Sequence, residues 1–379
     1  MALPHANWNY PTAIRFGAGR AGELPQLCRS LGIGRPLLVT DPMLADLPML
    51  RAVAAAGRFS AIHANPTGAD VEAGLAAYRG GGHDGVIAFG GGAALDVGKV
   101  VAFMSGQSRP LWDFEDKADW WTRADPAGIA PVIAVPTTAG TGSEVGRAGV
   151  ILDEEAGVKK IIFHPAMLPK AVILDPELTV GLPKHVTAAT GMDALSHCLE
   201  AWCAPGYHPL ADGIAAEGMR LIRLWLPKAY ADASDLEARG HMQVAAMMGA
   251  TAFQKGLGAM HALSHPIGAL CGTHHGLTNA VLMPYVLAFN ADALGERLTR
   301  LAAYLGLADA SAQPVIQWVV ELRRVLNIPD TLSALGVCAD QLDRLAAMAE
   351  EDPSAGGNPL PFDAAAARRV LEAAMEGRH

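Results

Sequence analysis

VIAFGGGAALDVGK (residues 86–99) passes from an aliphatic run through three successive glycines into a segment of helical composition. A strand that turns on glycine into a helix delivers backbone N–H groups to the edge of a sheet, where the helix N-terminus favours an anion such as a phosphate. No G-K-[ST] follows at the spacing of a P-loop. Taken alone, Gly90–Gly92 reads equally as a phosphate cradle or as a tight turn.

The surroundings extend the pattern. RPLLVT (35–40), FSAIHA (59–64), DGVIAFG (84–90) and PVIAVPTT (131–138) read as buried strands, with alanine-rich stretches of helical length between the first three. Strands alternating with helices predict a parallel, doubly wound α/β sheet. KKIIFH (159–164) and KAVILDP (170–176) add two further strands. After GLPKHV (181–186) the β-type runs stop, and TAATGMDALSHCLEAW, ADGIAAEGMRLIRLW and LEARGHMQVAAMMGATAF read as helices. The expected organisation is an α/β nucleotide-binding domain over residues 1–182 and an all-α domain over 183–379.

A second glycine loop competes with the first. FGAGRAG (16–22) fits G-x-G-x-x-G, with Asp41 about 20 residues beyond it, where a dinucleotide-binding unit places an acid. Pattern alone does not choose between the two loops. Asp41 closes the run LLVTD under either choice, and a carboxylate there can bind a ribose 2′-OH and repel a 2′-phosphate, favouring NAD over NADP; the bland reading is the start of a D-P turn. PTTAGTGSEV (136–145) is another strand-end loop, whose Thr137, Thr138, Thr141 and Ser143 offer hydroxyl donors. Open α/β sheets bind ligands at that edge.

Composition limits the partners. The 379 residues are 51% hydrophobic and carry a formal net charge of -9, which argues against a nucleic-acid surface. No run of about 18 apolar residues suits a membrane span, and the N-terminal MALPHANWNYPTAIRFGAG does not have the order of a secretory signal. Cys28, Cys198, Cys203, Cys271 and Cys338 form no C-x-x-C pair and read as small buried hydrophobes of a cytoplasmic protein.

The helical half concentrates histidine. In GAMHALSHPIGALCGTHHG, His261 and His265 stand four residues apart, followed by His274 and His275, and upstream Asp193 and His197 repeat the spacing. Residues i and i+4 share a helix face, so these pairs and His275 can converge on one divalent ion. Imidazoles with a single carboxylate suit Fe²⁺ or Zn²⁺ better than Mg²⁺ or Ca²⁺. Ala262 stands where H-E-x-x-H would place glutamate, so this is not a zincin helix.

FGGGAALDVGK, PTTAGTGSEV, LDPELT (174–179), ATGMDALSH and MHALSHPIGA…HHG, in this order and over nearly the whole chain, resemble the iron-containing (group III) alcohol dehydrogenases. The resemblance implies a dehydroquinate-synthase-like fold, NAD as cofactor with NADP disfavoured, and one divalent metal, Fe²⁺ ahead of Zn²⁺. It puts the metal ligands on Asp193, His197, His261 and His275, and a further catalytic histidine near the nicotinamide on His265. The cofactor contacts fall on Asp41, Gly91, Gly92, Ala93, Asp96, Thr137, Thr138, Thr141, Lys159 and His265, with Lys160 beside Lys159. FGAGRAG then matches the family's first strand–turn–helix and GGGAALD its pyrophosphate loop. Departures are Ala93 for the usual serine, Gly146-Arg147 after the second loop, and NPLP (358–361) for N-P-R-P.

The implied reaction is reversible hydride transfer between an alcohol and the nicotinamide across an interdomain cleft. The metal takes the alcohol oxygen and lowers its pKa, while His265 relays a proton or positions the ring. Lys255 and Arg147 are candidates to hold a substrate carboxylate, and Phe253, Trp112, Trp120 and Trp121 to wall a pocket. His274 is expected to be structural or to line the cleft. The expected partner is a small alcohol or aldehyde, with a homodimer as the assembly. Two rival readings are a dehydroquinate-synthase-type lyase that recycles NAD, and a metal or nucleotide sensor without catalysis.

Overall fold

The computed structural model describes residues 6–8, 12–51, 53, 55–307 and 311–378. The unassigned His5 and part of the N-terminal stretch read for a signal sequence lie outside them. The chain divides into two compact units, Met1–Gly181 and Leu182–His379.

The first unit is built on β1 (Ala6–Trp8), β2 (Ala13–Phe16), β3 (Pro36–Thr40), β4 (Gly57–Phe59), β5 (Gly85–Gly90), β6 (Val132–Pro136), β7 (Ala148–Asp153), β8 (Val158–Phe163) and β9 (Ala171–Leu174). Its helices are α1 (Leu24–Ser30), α2 (Pro48–Arg51), α3 (Gly68–Gly80) and α4 (Gly92–Met104). Seven strands form one sheet in the order β1-β2-β9-β6-β5-β3-β4, parallel throughout except for β1 on β2. The central strands PLLVT, GVIAFG and VIAVP are buried at every residue, as expected of strands covered on both faces. Burying each large aliphatic such as Leu38, Ile87 or Ile133 contributes about 1.5–3 kcal/mol.

Three details depart from the sequence reading, and the state of the second glycine loop agrees with what the resemblance implied. The strand expected at 59–64 occupies only Gly57–Phe59, because its one partner, β3, runs out at Thr40. KKIIFH does not extend the main sheet; β8 pairs antiparallel with β7, an unforeseen strand, in a separate hairpin. The second glycine loop has its N–H groups engaged: Gly19 and Ala21 donate to Asp175 at 3.1 and 2.9 Å. The acid of LDPELT thus takes the place an anion would need. Of the five cysteines, Cys338 is exposed and Cys271 half-buried, so only Cys28, Cys198 and Cys203 are buried hydrophobes.

The second unit is helical among the described residues: α5 (Lys184–Cys203), α6 (Pro209–Ala231), α7 (Leu236–Ala252), α8 (Ala259–Cys271), α9 (His275–Leu305), α10 (Gln313–Val325), α11 (Leu342–Glu350) and α12 (Ala364–Glu376). α5 is buried at every residue from Thr187 to Cys203 and packs against α6, α7 and α9. Such a helix has no solvent face, so its Asp193, His197 and Glu200 need partners inside the protein. α8 packs on α9 and α11. No helix of the described residues is long and apolar enough to cross a membrane.

Candidate functional site

Two loops meet at the C-terminal edge of the parallel sheet. β5 ends at Gly90, whose φ of +151° lies where L side chains are rarely found, and a Cβ there would overlap Asp41 Oδ2. Gly91 N–H donates to that oxygen at 2.8 Å. At Gly92 a Cβ would stand 2.7 Å from the Thr141 methyl, so a bare backbone is what lets the second loop close on the first. Thr137 N–H donates to Gly90 O at 2.9 Å, and Thr138 lies beside Gly91. Asp41, Gly91, Gly92, Thr137, Thr138 and Thr141 therefore share one cluster, with Ala93 in the first turn of α4. That helix starts without a side-chain cap, the usual state of an anion-receiving N-terminus.

Asp96 is engaged within the unit. One oxygen accepts from Ser143 Oγ at 2.5 Å and meets Lys99 Nζ at 3.2 Å; the other accepts from Val150 N–H at 3.0 Å. It ties α4 to the second loop and to the β7–β8 hairpin. On that hairpin Lys160 pairs with Asp153 at 2.6 Å. Strand alternation points Lys159 to the opposite face, away from this ion pair.

Beneath the second loop Glu144 is enclosed, and burial pushes its carboxyl up to about 7 against the opposing pull of Lys99. An unfolded glutamate titrates near 4.3, so the unfolded chain loses this proton first and stability falls as pH rises from about 4 through about 7. The loss is on the order of 3 kcal/mol. Glu144→Gln is therefore expected to raise the denaturation midpoint at about pH 8 and to leave it unchanged below about pH 4. An equal midpoint shift at both pH values would show that this carboxyl does not titrate within the fold.

In the helical unit, Asp193, His197, His261 and His275 each turn one donor atom toward a common point, all within 4.8 Å of one another. Asp193 and His197 lie one turn apart on α5, His261 lies in the first turn of α8, and His275 opens α9. Asp193, His197 and His261 are buried. Three imidazoles and a carboxylate suit Fe²⁺ or Zn²⁺, and these four side chains would hold such an ion. Amide Nδ2 of Asn279 lies among these donors, at 3.0 Å from Asp193 Oδ1, 3.2 Å from His275 Nε2 and 3.4 Å from His261 Nε2. Asp193, His261 and His275 thus face a single place, with the His197 donor within 4.8 Å of theirs, an arrangement suited to a cation.

The His261 ring is fixed from behind. Glu200 Oε2 lies 2.6 Å from its Nδ1, while Oε1 accepts Met260 N–H, also at 2.6 Å. Burial alone would favour the neutral ring, but the Glu200 carboxylate outweighs it and raises the His261 pKa. Metal binding needs Nε2 deprotonated, so affinity falls as pH drops through that raised value. Glu200→Gln is expected to weaken the metal about 10–100-fold near neutrality and to flatten its decline between about pH 8 and 5. Chelator competition across that range measures both, and an unchanged affinity would mean that Glu200 only caps α8.

His265 is outside the four-donor cluster. Its ring lies parallel to His275 at 5.4 Å and edge-on to His261 at 5.8 Å, and its Nδ1 is 2.8 Å from Asp352 Oδ2. Burial would raise the Asp352 carboxyl, yet the His265 ring and Ser354 outweigh it and hold it below the usual range. Phe253 packs on the His197 ring at 5.1 Å. His274 caps α9, accepting from Leu277 N–H, which is the structural role expected of it.

Some substrate candidates are placed elsewhere. The Lys255 side chain is 2% exposed and paired with Asp212 at 2.7 Å, so it is an internal ion pair and not a carboxylate receptor. Trp120 stacks under Arg123, Trp112 lies under Lys160, and Trp121 packs on His164. Sequence reading missed Glu200, Asn279 and Asp352. Glu200 lies three residues after His197 and Asn279 four after His275, spacings that put them on the ligand faces of their helices. No local pattern points to Asp352, 87 residues from its histidine.

Residues 11–176 match the family model described as iron-containing alcohol dehydrogenase, and residues 187–375 match its C-terminal counterpart. The chain is 41% identical to a 4-hydroxybutyrate dehydrogenase of Cupriavidus necator, over 97% of this chain and 99% of that one. A solved 1,3-propanediol oxidoreductase superposes with a TM-score of 0.91 at 32% identity, over 99% of this chain and 100% of that one. A sulfoacetaldehyde reductase from Bifidobacterium kashiwanohense, solved in complex with NAD⁺, gives 0.86 at 28% identity, covering 99% of both chains. None of these three is a lyase or a sensor by name.

Proposed function

The chain belongs to the iron-containing alcohol dehydrogenase family, and from that premise we propose that it oxidises a short ω-hydroxy acid to the semialdehyde, and the reverse. Metal-dependent, NAD-linked hydride transfer between an alcohol and its carbonyl is the activity of the protein. The substrate class rests on one observation, the 41% identity to a 4-hydroxybutyrate dehydrogenase over almost the full length of both chains. Lys255 is held by Asp212, and Arg147, whose guanidinium lies over the Phe163 ring at 5.6 Å, is the other of the two candidates for the carboxylate.

In this reading Asp193, His197, His261 and His275 hold the divalent metal, Fe²⁺ ahead of Zn²⁺, which when bound supplies the Lewis acidity that lowers an alcohol's pKa. Glu200 orients His261. The backbone of Gly91, Gly92 and Ala93 receives the pyrophosphate, and Thr137, Thr138 and Thr141 orient the cofactor. Asp41 and Lys159 take its ribose hydroxyls, and Asp96 holds the second loop in place. His265 faces the reacting centre. The proposal includes a cytoplasmic location and a homodimer, in line with its scattered thiols; light scattering on the purified protein tests the dimer.

Chelator-stripped protein, resupplied with Fe²⁺ or Zn²⁺ under argon, is expected to form NADH from ω-hydroxy acids. We expect a kcat/KM at least about tenfold above that for the unsubstituted alcohol of equal length, since a charged hydrogen bond contributes about 1.5–3 kcal/mol. Equal kcat/KM for acid and alcohol overturns the substrate class. Metal-independent NADH formation overturns the metal assignment.

A further inference from the structure

His265 and His261 lie one turn apart on α8, yet each has a carboxylate of its own from a different part of the fold: Glu200 of α5 for His261, and Asp352 of the loop after α11 for His265. The second pairing is built with care. Asp352 Oδ2 meets His265 Nδ1 at 2.8 Å, and Oδ1 accepts Ser354 N–H at 2.8 Å, so neither oxygen is left to swing. Both side chains are mostly enclosed, at 14% and 10% exposure. The loop is gripped a second time at the start of the same helix. Asn358 Oδ1 accepts from Ala259 N–H at 3.3 Å and from Asn290 Nδ2 at 2.9 Å. Asn358 Nδ2 donates to Asn290 Oδ1 and to Leu360 O, both at 2.9 Å. The loop is therefore tied to α8 at two points, beside His265 and at the start of the helix.

Ring packing against His275 and His261 sets the plane of the His265 imidazole but not which nitrogen carries the proton. That choice belongs to the hydrogen bond at Nδ1. An ionised carboxylate only accepts, so in the neutral ring the proton belongs on Nδ1, which leaves the lone pair of Nε2 on the opposite side of the ring. We propose that Asp352 is a positioning residue for the dehydrogenase reaction, fixing the tautomer and orientation of His265 and acting only through that ring. The inference rests on the reading of His265 as a residue of the reacting centre.

The test is a double-mutant cycle on the metal-loaded enzyme with Asp352→Asn, His265→Ala and the double variant, with Asp352→Glu as the conservative rescue. An amide at 352 keeps the bond to Ser354 but can turn an N–H₂ toward the ring, favouring the other tautomer. Asp352→Asn should retain full metal content and lower kcat about a hundredfold with KM for NAD little changed. The double variant should be no slower than His265→Ala, and Asp352→Glu should recover part of the rate. In ¹⁵N-histidine NMR of the zinc-loaded protein, the His265 proton should move from Nδ1 in the parent to Nε2 in Asp352→Asn. His265→Ala with parental kcat would overturn the reading of His265 and the proposal with it. A slow His265→Ala beside a fast Asp352→Asn, or losses that multiply in the double variant, would overturn Asp352's role alone. Loss of metal in Asp352→Asn would do the same, by assigning the residue to the metal shell.

Discussion

His275→Ala is expected to give a folded protein that no longer retains its divalent metal and whose turnover falls at least about 10³-fold. The rate term follows from the chemistry: a Lewis acid contributes several kcal/mol to stabilising charge on oxygen, and each 1.36 kcal/mol is tenfold. His275 is the informative ligand because its side chain is 26% exposed, whereas His261 is 2% exposed and holds Glu200. His261→Ala should lose the metal equally. It also strands a buried carboxylate, which costs about 3–5 kcal/mol, so a fall in its Tm would accompany the loss. Metal stoichiometry by elemental analysis, beside kcat, separates these effects. Stoichiometric metal in His275→Ala would remove that residue from the shell.

The second large effect concerns the choice of dinucleotide. Asp41 follows β3 and accepts Gly91 N–H at 2.8 Å, with burial raising its pKa against that bond. A 2′-phosphate brought to this carboxylate meets a like charge, which costs several kcal/mol. Asp41→Asn preserves shape and the acceptor for Gly91 while removing the charge. The ratio of kcat/KM for NADP to that for NAD should rise about a hundredfold, mostly through KM for NADP. NAD itself should weaken by no more than about tenfold, the difference between a charged and a neutral hydrogen bond. An unchanged ratio would confine Asp41 to bracing the glycine loop.

Much of this was legible in the chain because the informative features are periodic or local. Runs such as VIAVP announce strands covered on both faces, and four-residue spacings put Asp193 with His197 on one helix face. Spacing also paired His261 with His265, which lies outside the four-donor cluster; the set that includes His275 was what the family resemblance implied. What escaped depends on tertiary approach. Pattern alone left FGAGRAG in competition, and only the resemblance set it aside; the reason is Asp175, more than 150 residues away, which takes its N–H groups. The length of β4 is set by where β3 ends. Lys255 looked available because it precedes a ligand by six residues, and only packing against Asp212 shows otherwise. Asp352 carries no spacing signal at all.

Asn279 bears on how the protein is assembled. Its Nδ2 stands within 3.4 Å of three of the four donors, Asp193 Oδ1, His261 Nε2 and His275 Nε2. One amide of α9 thus ties α5 and α8 together at the place where the ligands meet.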